Sequence, residues 1–164
     1  MKTNLITWVR GLFCEPQVRK IAFIDGDQSL PELLECYEQC IQGTKTDTFF
    51  IRAMAEGVNP PKIMKKFKDV TSVMLIGYTA GKEVVDKYIG ASIQKAINDG
   101  YTEITVISGD YDFIDIFKMA MKIDERANNV TFKMIVPRNA TKKKVAIPKQ
   151  NLNINVLKFP MLAT

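Results

Sequence analysis

Apolar residues in this chain recur at two spacings that take turns. Short β-branched or aromatic runs read as strands. They are Lys20 to Ile24 (KIAFI), Thr46 to Met54 (TDTFFIRAM), Ser72 to Ile76 (SVMLI), a run through Ile104, Val106 and Ile107, Val130 to Val136 (VTFKMIV), and Ile154 to Phe159 as a sixth or edge strand. Between them, apolar positions fall at helical spacing. Leu30, Leu33, Leu34, Tyr37 and Ile41 give one buried face, with Ser29 as its cap and Gly43 as its stop. Gly57-Val58-Asn59-Pro60-Pro61 punctuates the chain before a short basic helix over Lys62 to Lys68. A long helix is predicted over Lys82 to Asp99, and another from Asp110 to about Lys122. Leu5, Trp8, Val9 and Leu12 predict an amphipathic helix within Met1 to Gln17, packed on the domain or on a partner.

Strands alternating with helices of this length imply an α/β fold, with a central, mostly parallel sheet and right-handed crossovers. The pattern contains neither an internal repeat nor a low-complexity linker, so residues 1–164 read as one domain with its core over about 20–137. The N-terminal helix lies before that core, and a basic loop and strand over 138–164 follow it. Lys142, Lys143 and Lys144 mark the loop, which is open to reading as solvated surface or as a phosphate contact.

Composition narrows the chemistry. With 46% hydrophobic and 25% charged residues, the chain can bury a core, and it has no apolar run long enough to span a membrane. Without a leader-like amino terminus, a cytoplasmic location is the expectation. The sequence contains no histidine, so any hydrolytic chemistry leans on carboxylates, lysine or a metal. Cys14, Cys36 and Cys40 form no even framework and read as ordinary small side chains. A net charge of +5 suits a polyanionic partner.

The acids fall where strands end. Asp25-Gly26-Asp27-Gln28-Ser29 follows the first strand, and Ser108-Gly109-Asp110, with Asp112 and Asp115 beyond, follows the fourth. Ligands of open α/β sheets bind beyond the carboxyl ends of the strands. If those two strands are neighbours, Asp25 and Asp110 stand close enough to share a cation. Asp86, in the opening turns of the helix after the third strand, comes to the same edge. Each acid also has an ordinary role open to it, as a helix cap, an N-terminal charge or a turn residue. Their gathering on one edge is costly unless a cation relieves it.

Three of these segments, IAFIDGDQS, GKEVVDKYI and ITVISGDYDF, resemble the motifs of the NYN domain family within the PIN-like nuclease superfamily. The resemblance covers about Lys20 to Pro137. It implies a Rossmann-like, PIN-like three-layer sandwich and metal-dependent cleavage of RNA, with DNA also open as substrate. Carried over by position, Asp25, Asp86, Asp110 and Asp112 fall on the family's acidic positions, and Ser108 falls on a position that often bears a hydroxyl. Asp25, Asp86 and Asp110 would then hold one or two Mg²⁺ or Mn²⁺ ions, with Asp112 completing the pocket. Asp27, Gln28, Lys82 and Ser108 would stand near substrate, while Lys62, Lys65, Lys66 and the Lys142 to Lys144 run would meet the nucleic-acid backbone. Gln28 departs from the asparagine common in the first motif, so its contact is expected to be longer or lost.

Two other classes use the same residues. In a haloacid dehalogenase-type phosphatase, Asp25 would attack phosphorus and Asp27 would protonate the leaving group. A catalytically weak RNA-binding or assembly module would use the fold without turnover, docking a partner protein or a second copy through the N-terminal helix.

Overall fold

The computed structural model describes residues 17–77, 84–138, 140 and 153–159. Six strands form one sheet: β1 (Lys20–Asp25), β2 (Thr46–Ala53), β3 (Ser72–Ile76), β4 (Glu103–Ile107), β5 (Thr131–Val136) and β6 (Ile154–Lys158). Their order is β3-β2-β1-β4-β5-β6, and every neighbouring pair is parallel. The sheet is therefore wholly parallel where the sequence pattern implied mostly so. The Ile154 run is an edge strand, laid in parallel against β5.

Helices cover both faces, which makes a three-layer, Rossmann-like α/β fold. They are α1 (Leu30–Cys40), α2 (Pro60–Lys66), α3 (Val84–Asn98) and α4 (Asp112–Ile123), with a 3₁₀ turn at Glu125–Asn129. Strand alternation decides which layer each side chain joins. On β1, Ile21 and Phe23 pack with Ile89 and Ile93 of α3 and Phe113 and Phe117 of α4. Ala22 and Ile24 turn the other way, toward Leu33 and Tyr37 of α1 and Ile63 of α2. β1 is buried on both faces because it lies between β2 and β4 in the middle of the sheet.

Helix α2 begins at Pro60, earlier than the basic run predicted. Asn59 caps it, its Oδ1 accepting the Lys62 N–H at 3.1 Å. The paired prolines suit the first turn, where the helix has no use for their missing N–H and their fixed φ already matches. Ser29 precedes α1, but no hydrogen bond from its side chain caps that helix. Instead its carbonyl accepts the Leu33 N–H at 3.1 Å. The predicted helix before Gln17, Lys82 and the Lys142 to Lys144 run lie outside the described residues.

Candidate functional site

The strand order reverses between β1 and β4, and both strands end in the acid-bearing turns. Ile24 pairs with Ile107, so Asp25 and Ser108 stand level at the carboxyl ends of adjacent strands. The Ser108 hydroxyl donates to Asp25 Oδ2 at 2.9 Å. Gln28 Nε2 donates to the same oxygen at 2.8 Å and to Ser108 Oγ at 2.7 Å. The other Asp25 oxygen accepts the Asp27 N–H at 3.3 Å.

Gln28 closes the gap between the strands. Its Oε1 accepts the Gly109 N–H at 2.6 Å, so one amide ties the β1 turn to the β4 turn. The extra methylene of glutamine, which the motif comparison marked as a departure, carries the side chain across to these partners. Ser108 Oγ also accepts the Asp110 N–H at 3.0 Å. That hydroxyl thus donates once and accepts twice, its full capacity, and Ser108 is wholly buried. Ser108 positions its neighbours and has nothing left with which to contact a substrate.

Asp25 is only 4% exposed. Burial pushes its carboxyl above the ordinary value, and the Asp27 charge adds to the push. Hydrogen bonds from Ser108, from the Asp27 N–H and from Gln28 oppose it. Asp27 itself is exposed and is tied elsewhere, its Oδ1 accepting the Ala53 N–H at the end of β2 at 2.9 Å.

The remaining acids face a different space. Asp86 from the first turn of α3, with Asp110 and Asp112 from the start of α4, lines one groove of about 500 Å³ between the two helices. Its floor is apolar, with Ile93, Ile116 and Ala120 among its residues. Asp110 Oδ1 accepts the Asp112 N–H at 3.0 Å and so holds the turn into α4. Asp25 is absent from the groove lining and lies behind the Gln28 amide. Asp115 is exposed and ion-paired with Lys118 at 3.0 Å.

A divalent cation fits this edge in donor chemistry, since hard Mg²⁺ and Mn²⁺ take carboxylate oxygens. The arrangement does not match it. Among the described residues, no three histidine, cysteine, aspartate or glutamate side chains are set to hold a metal ion. The cysteines take no part, because burial pushes the Cys36 thiol up to about 12 and raises Cys40 as well.

Three residues that matter here were not singled out from the sequence. Gly26 packs so closely that a Cβ would stand 2.4 Å from the Phe50 ring and 2.8 Å from the Ile51 carbonyl oxygen. At Gly109 a Cβ would meet Gln28 Oε1 at 2.8 Å. Arg52, near the end of β2, lines a second pocket with Lys62 and Lys66. A lone cation at the end of the apolar run FFIRAM is the one signal for it in the sequence.

A doubly wound sheet with polar side chains gathered at its switch point defines a Rossmann-like domain with its ligand edge at β1 and β4. No family model matches the chain, and a search of curated proteins finds no match. Among solved structures, the chain is similar to a protein of unknown function from Vibrio parahaemolyticus. The likeness has a TM-score of 0.53 at 13% identity, over 87% of this chain and 93% of that one. At that identity the likeness extends to the fold. Among the described residues, no helix is long and apolar enough to cross a membrane.

Proposed function

We propose that the chain is a phosphodiester hydrolase of the PIN-like type, acting on RNA in the cytoplasm, with its chemistry at the carboxyl edge between α3 and α4. The observation that carries this reading is the convergence of four aspartates on one sheet edge. Asp25 sits at the switch point, and Asp86, Asp110 and Asp112 share one groove.

Mg²⁺ or Mn²⁺ is proposed as cofactor on donor chemistry alone, with Asp86 and Asp110 as its holders and Asp112 and Asp25 beside them. When bound, such an ion supplies Lewis acidity toward a phosphoryl oxygen and toward water. The protein's own contribution is positional. The buried Asp25 carboxylate orients Ser108 Oγ, which fixes the Asp110 N–H and with it the turn that presents Asp110 and Asp112 to the groove. Carboxylates there accept the O–H of an attacking water and take its proton as the phosphorus–oxygen bond forms.

The phosphatase alternative finds less support. Helix α1 starts at Leu30, three positions after Asp27, and Asp27 Oδ1 already holds the end of β2.

The test is cleavage of labelled single-stranded RNA and matched DNA with Mn²⁺, Mg²⁺ or EDTA, with Asp110→Asn as paired control. RNA cleavage that EDTA abolishes and Asp110→Asn lowers by at least about a hundredfold is expected. Hydrolysis of a generic phosphate ester without RNA cleavage would transfer the reading to a phosphatase. RNA binding without turnover would make the domain a binding module.

A further inference from the structure

The second pocket, of about 300 Å³, lies on the opposite face of the sheet from the acid groove. Arg52 follows Phe50 by two positions on β2 and so points into the α1–α2 layer, where Phe50 packs. Lys62 and Lys66 stand four apart on α2, which puts them on one side of the helix. Both lysines are exposed and Arg52 is half-buried.

These three cations differ from others on the surface. Lys20 and Lys133 both reach Glu103, Lys95 pairs with Asp99, Lys118 with Asp115, and Arg126 with Asp124. Among the described residues, no ion pair joins Arg52, Lys62 or Lys66 to any acid, including Glu56, which lines the same pocket. Like charges around one concavity repel, and an anion seated among them relieves that cost. Three cations against the single carboxylate of Glu56 leave a net charge of +2. A phosphomonoester carries about −1.5 to −2 at neutral pH, whereas a backbone diester carries one charge and must leave room for chain on both sides. The volume is that of a small-ligand pocket, enough for one terminal group.

We propose that Arg52, Lys62 and Lys66 bind the phosphorylated terminus of a nucleic-acid strand. The proposal rests on the nucleic-acid reading above and adds an end-recognition site to it. The pocket adjoins the catalytic edge through the main chain, because Asp27 holds the N–H of Ala53, the residue after Arg52. A strand anchored by its end would cross the β1–β4 edge toward the acid groove, and its cleavage would be measured from that end.

The experiment uses the full chain in EDTA and single-stranded oligonucleotides of one sequence, bearing a 5′-phosphate, a 3′-phosphate or hydroxyl ends, followed by anisotropy. One phosphorylated end should bind at least about tenfold more tightly than the hydroxyl-ended strand, with inorganic phosphate competing for the difference. The difference should shrink below about pH 6, where the phosphate regains its second proton. The double variant Lys62→Gln, Lys66→Gln alters exposed side chains and should erase the difference while leaving hydroxyl-ended binding in place. Arg52→Gln should do the same. Equal affinity for all three strands, or a preference that survives the double variant, overturns the proposal. Absence of cleavage with the preference intact would remove the catalytic reading and keep the pocket. Cleavage without the preference would do the reverse.

Discussion

Asp25 binds its proton more tightly in the folded chain than the ordinary value of 3.8 provides, chiefly because it is buried. From that pH up to the folded value, the native state holds more protons than the unfolded state. Stability therefore falls as pH rises through the window and levels off above it. Asp25→Asn removes this linkage, so urea midpoints of the variant should lack the wild-type fall across that window. Parallel profiles for the two proteins would contradict the assignment. The carboxylate was legible in the sequence, since an acid directly after an apolar run marks a strand end. What its oxygens contact was not, because Ser108 lies 83 positions away and becomes a neighbour only through the pairing of β1 with β4. Gln28 carries the same lesson. Its departure from the motif was visible, but its reach to Gly109 depends on the register of two strands.

Among the elements, the strands were the easiest to read, because a parallel sheet buried on both faces leaves near-continuous apolar runs. Helix α2 was harder. Its first turn is Pro60-Pro61, which reads as a breaker until Asn59 is seen to cap it. Asn59→Ala should cost about 1 kcal/mol, the usual worth of such a cap, measured as a lowered urea midpoint with unchanged m-value. Because the cap also holds the start of the helix that bears Lys62 and Lys66, the variant should weaken phosphate-end binding in the same direction. A full-strength preference in a destabilised protein would show that the lysines do not need a fixed first turn.

For the molecule as a whole, alternating strands and helices gave the class, while strand order depends on which crossovers return to the centre. β1 is flanked by β2 and β4, and both of its faces are covered. A fragment of residues 17–100 keeps β1 to β3 but loses β4, so a row of unpaired backbone groups and the apolar face under α3 are uncovered at once. Such a fragment should lack cooperative unfolding when followed by circular dichroism. A sharp transition would mean that the first three strands form a unit by themselves.

The hydrogen bonds from Gln28 to Ser108 and Gly109 span 80 and 81 positions, so the catalytic edge is closed by the second half of the chain. Closing so long a loop carries an entropic cost that local contacts cannot repay in advance. During synthesis the aspartate of β1 leaves the ribosome long before its partners. A half-made chain therefore carries the acid without the pocket, and competence arrives together with β4, late and in one step.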